Sequence, residues 1–291
     1  MAKMKVGIAA HVITTIDWKT GRYQKPIQEI LDDAAEVGLQ GVEFNYQGVD
    51  DYVSSNRLGE FKAMFSTRGL ELCAFFVEGI SLDHGEGGVE LAVKSIIEAA
   101  KVLSTLGVHN LVVSTGGGRG IGHFGPGGDA VPNTEENYRI IANALNNAGK
   151  KCKDYGVYMS IHPPEVRGLG PKDLTTILDL TNPEYVYFNL DTGHIVRAGC
   201  NPLELTKRYV ERIKYIHLKD FKEEDDQKPW RGFTELGTGT INHLNIFKVL
   251  HEANYDGWFI IEVPMASGRG LTPKESAKIS LNYLKQILSL K

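Results

Sequence analysis

The sequence has few cysteines, no long hydrophobic run and no excess of positive charge. Three of its 291 residues are cysteines, Cys73, Cys152 and Cys200, and they form no C-x-x-C pair. So few, scattered thiols exclude a disulfide framework and a zinc knuckle and are typical of a reducing compartment, so we expect a cytoplasmic protein. No segment approaches the roughly 18 apolar residues needed to cross a bilayer, and His11 interrupts the first apolar run before it reaches signal-sequence length. We therefore expect no membrane partner.

Basic residues are slightly outnumbered by acidic ones. The chain has 32 Lys and Arg against 36 Asp and Glu, a formal net charge of −4. Proteins dedicated to nucleic acid usually carry a basic surface, so this balance argues against a nucleic-acid partner. Hydrophobic residues make up 42% and charged residues 23%, which is globular usage and excludes disorder of the whole chain.

Eight short apolar runs alternate with longer amphipathic segments. Their mean spacing is about 36 residues, close to one strand–helix unit of a barrel. The runs are residues 5–10, 41–46, 71–77, 110–114, 157–162, 185–190, 214–218 and 258–263. This alternation predicts an α/β fold of parallel strands joined by helices, namely a (β/α)8 TIM barrel forming one domain over residues 1–291. An open doubly wound sheet would need a glycine-rich turn after its first strand, where this sequence has His11-Val-Ile-Thr14.

Apolar residues recur at helical spacing in the segments between these runs. The predicted helices are 26–37, 58–67, 89–106, 134–155, 173–180, 203–212, 242–253 and 273–290. Gly38, Gly69, Gly107 and Gly156 each follow a predicted helix end, a typical stop signal.

Two of the predicted loops have unusual compositions. Residues 114–128 are glycine-rich and contain Gly120-x-Gly122-x-x-Gly125, but Pro126 follows where a dinucleotide-binding turn must open into a helix. We interpret this segment as a lid over the barrel mouth. Residues 221–230 carry many charges of both signs and are interpreted as a solvated surface loop.

Polar side chains gather at the predicted carboxyl ends of the strands, where barrels of this kind carry their active sites. Carboxylates held close together in a partly dry site repel one another unless a cation neutralises them. Mixed carboxylate and imidazole donors suit manganese, cobalt, zinc or iron(II) better than calcium. We therefore predict one divalent metal ion, held by four residues from adjacent strands: His162, Asp191, His217 and Glu262.

Structural explanations stay open for each of these residues. Asp191 could cap the next helix, and His162 could shape the loop that its two following prolines begin. His217 could bond to the backbone at a strand end. The structural explanation is weakest for Glu262, because it lies in an apolar run where an uncompensated carboxylate is costly.

At these positions the sequence resembles the xylose isomerase-like barrel superfamily of sugar isomerases and epimerases. The resemblance spans residues 6–288 and is carried by Leu190-Asp-Thr-Gly-His194, Ile216-His-Leu-Lys-Asp220, Gly237-Thr-Gly-Thr-Ile241 and Gly257-Trp-Phe-Ile-Ile-Glu262. It implies a divalent metal bound by Asp191, His217 and Glu262, with His194 contacting substrate hydroxyls.

The sequence departs from the family's epimerases at the end of the fifth strand. Those enzymes place a glutamate there, which pairs with the strand-eight glutamate as acid and base on opposite faces of the substrate carbon. Here the position is His162. A histidine after strand five, together with the other motifs, is similar to the inosose dehydratase branch, which removes water from a keto-inositol.

The resemblance implies a shared chemistry on a ketose or keto-polyol. A metal polarises a carbonyl, a base removes the neighbouring proton, and the resulting enediolate is reprotonated or loses a β-hydroxyl. We expect Glu262 to combine metal binding with a base role, Lys219 to stabilise the enediolate oxygen, and one of His194, Glu165 or His11 to act as acid. The expected substrate contacts are His11, Glu43, Glu165, His194 and Lys219.

Two other functions are weighed against this enzyme. A non-catalytic sugar-binding barrel would keep the mouth and lose turnover. An abasic-site endonuclease would need further metal ligands, including an Asp-x-His pair after strand seven, and none occurs between Asp220 and Asn242. The expected partner is a small-molecule sugar or polyol, and self-association into a homo-oligomer is left open.

Overall fold

Eight parallel strands close into a barrel. The computed structural model describes residues 5–17, 20–80, 85–115, 134–163 and 171–289. Around the barrel the strand order is β1-β8-β7-β6-β5-β4-β3-β2. The strands are Lys5–Ala9 (β1), Gly41–Asn45 (β2), Glu71–Ile80 (β3), Asn110–Thr115 (β4), Tyr158–His162 (β5), Val186–Asp191 (β6), Ile213–Leu218 (β7) and Trp258–Ile261 (β8). The predicted (β/α)8 TIM barrel is confirmed.

Eight longer helices connect the strands on the outside. They are Ile27–Val37 (α1), Leu58–Ser66 (α2), Gly85–Leu106 (α3), Glu135–Asp154 (α4), Pro171–Leu180 (α5), Pro202–Tyr209 (α6), His243–Glu252 (α7) and Pro273–Ser289 (α8). Helix α1 ends at Gly38, whose φ of 91° places it in the left-handed conformation that glycine adopts without strain. Among the described residues, no helix is both long and apolar enough to span a membrane.

Three short helices add to this frame. Ala10–Ile13 follows β1, Asp50–Ser54 precedes α2, and Thr192–Arg197 follows β6. The first and third begin directly at the carboxyl end of a strand, so they turn the chain beside the barrel mouth.

Small residues on β1 and β2 make room inside the barrel. A Cβ on Gly7 would lie 2.7 Å from Cys73 Sγ, and one on Gly41 would lie 2.6 Å from the same sulfur. Side chains of β5, β6 and β7 fill the interior in layers because alternate residues of a strand face the same side. Ser160, Asn189 and Tyr215 are buried and each lies two positions before a residue of the predicted metal site.

Candidate active site

Four side chains from adjacent strands meet at the carboxyl end of the barrel. His162, Asp191 and His217 lie at the ends of β5, β6 and β7, and Glu262 directly follows β8. Each offers one ligand atom, and these atoms lie within 4.8 Å of one another. Donors around a zinc-sized ion at about 2.1 Å are themselves roughly 3–4 Å apart, so the cluster is close to the size of a coordination sphere. These are the four residues in which the sequence predicted a metal site.

The donor atoms of this cluster face one another. His217 Nδ1 lies 2.5 Å from Glu262 Oε2 and 3.7 Å from Asp191 Oδ2, and His162 Nε2 lies 3.3 Å from Asp191 Oδ2. Burial opposes a charge on His217, but Glu262 and Glu43 outweigh it and raise the pKa of His217 to about 10. An imidazole must lose its second proton to bind a metal, so a divalent cation here competes with that proton.

Lys219 adds a buried positive charge beside the same carboxylates. Its side chain is 1% exposed, and Nζ contacts Asp191 Oδ2 and lies 2.7 Å from Glu262 Oε2. Burial works against the ammonium, but Asp191 and Glu262 outweigh it and raise the pKa of Lys219. Burial likewise opposes the charge of Glu262, yet His217 and Lys219 hold the pKa of Glu262 well below its usual value. Both groups are therefore charged at neutral pH.

Asp191 uses its two oxygens differently. Oδ1 accepts the backbone N–H of His194 at 2.8 Å and caps the helix Thr192–Arg197. Oδ2 is the oxygen that faces His162, His217 and Lys219. The capping interpretation and the metal interpretation of Asp191 are thus compatible.

Glu43 lies on the opposite side of the His217 ring from the cluster. Its side chain is 2% exposed, and Oε2 lies 2.9 Å from His217 Nε2. Glu43 was predicted to contact substrate, but the residues that line the cavity beside the cluster do not include it, so this role stays a prediction.

A cavity of about 430 Å³ opens beside the cluster, within the size range of small-molecule sites. Two imidazoles and the Lys219 amine face it together with aromatic walls. His11 Nε2 lies 3.2 Å from Glu262 Oε1, and the ring of His194 packs edge-on against Phe233 at 4.8 Å between centroids. The residues that line the cavity include His11, Phe76, His194, Lys219, Trp230 and Phe233.

The segments after β7 and β8 form one wall of this cavity. Trp230 packs so closely on Gly268 that a Cβ there would lie 2.8 Å from the indole. Arg269 joins the two segments through Glu235 at 2.8 Å and the carbonyl oxygens of Phe233 at 3.3 Å and Pro264 at 3.0 Å. The wall is therefore held by packing and by a charged hydrogen-bond network.

Residues 221–230 were predicted to be a solvated surface loop, and this is correct only in part, because half of them are exposed and two are buried. Asp226 is buried and accepts a hydrogen bond from Arg197 Nε at 3.0 Å, while Trp230 lines the cavity. The buried ion pair was not predicted, because charged residues in a segment of mixed charge are more often solvated than paired.

Asp220 is a structural residue to which the sequence analysis gave no role. It accepts backbone N–H groups from Phe221, Gly237, Gly239 and Ile241 at 2.9–3.0 Å. A Cβ on Gly239 would lie 2.3 Å from Asp220 Oδ1, so only glycine fits there. The motif 237–241 is thus a backbone loop wrapped around one carboxylate.

Two of the sequence predictions fall on segments that the structure does not describe. Glu165 lies within residues 164–170, and most of the predicted lid lies within residues 116–133. Both stay predictions.

A family model described as "Xylose isomerase-like TIM barrel" matches residues 31–287. The chain belongs to this family. Its curated relatives include an inosose dehydratase of Clostridium botulinum (strain Alaska E43 / Type E3), 27% identical over 308 residues that cover 99% of this chain and 98% of the relative. An inosose dehydratase of Mesomycoplasma hyopneumoniae is 28% identical over 305 residues, covering 99% and 98%. The resemblance read from the motifs is confirmed.

Solved structures of the family share the fold at lower identity. The structure of L-ribulose 3-epimerase has a TM-score of 0.72 at 17% identity and covers 99% of this chain and 95% of its own. The structure of IOLI protein with a binding zinc atom has a TM-score of 0.76 at 15% identity and covers 98% of both chains. The names of the curated relatives and of this epimerase support a carbohydrate-modifying enzyme.

Proposed function

We propose that this family member is a divalent-metal-dependent carbohydrate enzyme that removes water from a keto-polyol of the inosose type. The observation that carries the proposal is the convergence of His162, Asp191, His217 and Glu262 within 4.8 Å beside a cavity. The relatives named inosose dehydratase match over 99% of the chain and supply the substrate class.

The donor set fits a first-row divalent ion. Two imidazoles and two carboxylates, all buried, match manganese, cobalt or zinc, whereas calcium prefers an all-oxygen shell. When bound, such an ion would polarise a substrate carbonyl and the adjacent hydroxyl and so acidify the neighbouring C–H bond.

Glu262 is poorly suited to the base role that the sequence analysis expected. Its Oε2 contacts His217 and Lys219, its Oε1 contacts His11, and its pKa is held low, so it has little tendency to accept a proton. We therefore assign Glu262 to metal binding and to orienting His11. A carboxylate can only accept a hydrogen bond, so His11 donates Nε2–H to Glu262, and the His11 imidazole, which lines the cavity, is the proposed base.

His194 and Lys219 are the other two residues to which we assign roles in proton transfer or charge stabilisation. Lys219 lines the cavity as an ammonium, so it can donate a hydrogen bond to the oxygen on which negative charge develops. His194 lines the same cavity and is placed to protonate a departing hydroxyl. The aromatic rings of Phe76, Trp230 and Phe233 offer apolar surface to the C–H faces of a ring substrate.

The proposed reaction needs no oxidant or reductant. A base removes a proton from the carbon next to the carbonyl, and the electron pair enters the enediolate. The β carbon–oxygen bond then breaks, a carbon–carbon double bond forms, and the hydroxyl leaves as water after taking one proton from the acid. One C–H and one C–O bond are lost, so one water is released.

The residue at the end of β5 favours dehydration over epimerisation. A two-base epimerase needs a carboxylate on each face of the substrate carbon, and His162 occupies the second position here. A sugar isomerase or epimerase is the second candidate, because the enediolate is common to both reactions and the structural relatives include an epimerase.

The test is incubation of the metal-reconstituted protein with a panel of ketoses and keto-inositols in deuterated water. We expect metal-dependent loss of water from a keto-inositol, measured as a new double bond, which a chelator abolishes. Deuterium uptake without water loss would replace the dehydratase by an isomerase or epimerase. A protein that binds the sugars with neither change would be a non-catalytic barrel.

A further inference from the structure

The buried carboxylate of Glu43 reaches a metal-site residue on a strand that is not its neighbour. Glu43 lies on β2, and His217 lies on β7, three steps away around the barrel order. Their side chains meet in the interior, where Glu43 Oε2 lies 2.9 Å from His217 Nε2. Both side chains are buried, at 2% and 0% exposure.

The two ring nitrogens of His217 face different partners. Nε2 faces Glu43, while Nδ1 faces Glu262 Oε2 at 2.5 Å and Asp191 Oδ2 at 3.7 Å. An ionised carboxylate can only accept, so Nε2 must carry the proton shared with Glu43. Nδ1 points into the cluster, so the proton on Nδ1 is the one that a bound cation would replace.

We propose that Glu43 is a positioning residue of the metal site, which locks the ring of His217 and its Nε2–H tautomer so that Nδ1 presents a lone pair to the cation. The inference rests on the proposed function only in assuming that the cluster binds a divalent metal. Outer carboxylates of this kind orient metal-binding imidazoles and strengthen them as ligands.

The carboxylate of Glu43 has few interactions other than the one with His217. In the part of the chain that the structure describes, no lysine or arginine forms an ion pair with it, and it does not line the cavity. A buried carboxylate without a compensating partner is costly. His217 is therefore the basic partner of this buried carboxylate, and Tyr215, whose pKa the charge of Glu43 helps to raise, is a second polar neighbour.

The first experiment measures cobalt(II) affinity by chelator competition, with the visible spectrum of the bound ion as a second readout. Glu43→Gln keeps the size of the side chain but weakens the hydrogen bond, and Glu43→Leu removes it. We expect affinity to fall roughly 10–100-fold in Glu43→Gln and further in Glu43→Leu, with an altered cobalt spectrum.

The matched control is Glu235→Gln, which neutralises another buried carboxylate that is bonded to Arg269 and Ser276 and not to the cluster. The control should lose stability and keep its cobalt affinity and spectrum. A folded Glu43→Gln protein that binds cobalt as tightly as the unmodified protein, with the same spectrum, would overturn the inference.

A second measurement needs no variant. In protein with isotope-labelled histidine and NMR-active cadmium, we expect the metal to couple to Nδ1 of His217 and a proton to reside on Nε2. Coupling to Nε2 would overturn the inference while leaving the proposed function intact. If the unmodified protein binds no metal ion, the proposed function and the inference fail together.

Discussion

At the residue scale, the structure explains why one aspartate can serve both the fold and the site. Asp191 caps Thr192–Arg197 through Oδ1 and faces the cluster through Oδ2. A substitution that keeps a hydrogen-bond acceptor and removes the charge can therefore separate these two roles.

Asp191→Asn is that substitution. Asparagine is as good a cap as aspartate, so the helix should persist, but the neutral amide is a poor metal ligand. We expect metal affinity to fall by at least about 100-fold. This loss is larger than the one expected for a residue that contacts a ligand but not the metal. Elemental analysis after gel filtration measures it, with circular dichroism as the check on folding. An Asn variant with full metal content would contradict the ligand assignment.

His194→Gln tests proton transfer separately from metal binding. The imidazole lines the cavity but is not one of the four clustered residues. We expect turnover to fall about 10²–10⁴-fold, the usual contribution of general acid catalysis, with unchanged metal content. His251→Gln, an exposed site on α7, is the control. Wild-type turnover in His194→Gln would remove His194 from the mechanism.

The sequence identified the clustered residues, but not how the cluster is supported. His162, Asp191, His217 and Glu262 could be found because each is a polar residue at the end of an apolar run. The role of Glu43 depends on a contact across the closed barrel, and the role of Trp230 on packing between two loops. Neither contact leaves a local pattern in the sequence.

At the element scale, the barrel strands were predictable because parallel strands are buried on both faces and appear as nearly continuous apolar runs. The longer helices were predictable from their apolar periodicity, with shifts at the ends such as the start of α3 at Gly85, where residue 89 was expected. The helix Ala10–Ile13 was missed because four residues are too few to establish a helical period, and Thr192–Arg197 was expected only as the helix that Asp191 could cap.

The cavity wall contains a buried ion pair whose effect on stability should depend on pH. Burial would raise the pKa of Glu235, but hydrogen bonds from Arg269 and Ser276 outweigh it and lower the pKa below 4.5. Because the folded state then holds the proton more weakly than the unfolded state, the pair stabilises fully above the unfolded pKa. Its contribution is lost as the pH falls through the folded value.

Glu235→Gln should therefore destabilise the protein at pH 7 by about 3 kcal/mol, because it leaves Arg269 buried without its counter-charge. The difference from the unmodified protein should shrink below a pH of about 4.5. Urea unfolding at several pH values measures both quantities. A difference that stays constant down to the acid transition would show that Glu235 does not titrate in this way.

At the scale of the whole molecule, metal binding should be coupled to folding. The four donors come from four segments of the chain and meet only in the closed barrel, so the unfolded chain offers no comparable site. A free-ion concentration of about 100 times Kd should add about 2.7 kcal/mol to the stability.

This stabilisation corresponds to a rise in Tm of roughly 4–5 °C for a chain of this size. Calorimetry with cobalt or zinc measures it, and EDTA should reverse it. Asp191→Asn is the control and should show little rise. Equal Tm values for unmodified protein with and without the ion would contradict the proposed centre.

The architecture as a whole followed from counting strand–helix units, since eight such units commonly close into a barrel. The assignment of residues 1–291 to one domain and self-association into a homo-oligomer stay predictions. The number of strand–helix units does not predict how side chains fill the interior of the barrel. There, Gly7 and Gly41 have no side chain and so leave space for Cys73 Sγ.

The placement of the cluster on β5 to β8 has a consequence for biosynthesis. Glu262 follows the last barrel strand to leave the ribosome, and β8 is also the strand that seals the barrel against β1. A nascent chain that has emerged only through β7 holds three of the four donors on an open sheet. The complete set of four donors is therefore expected to assemble only when β8 closes the barrel, so tight metal binding should be a late event in folding.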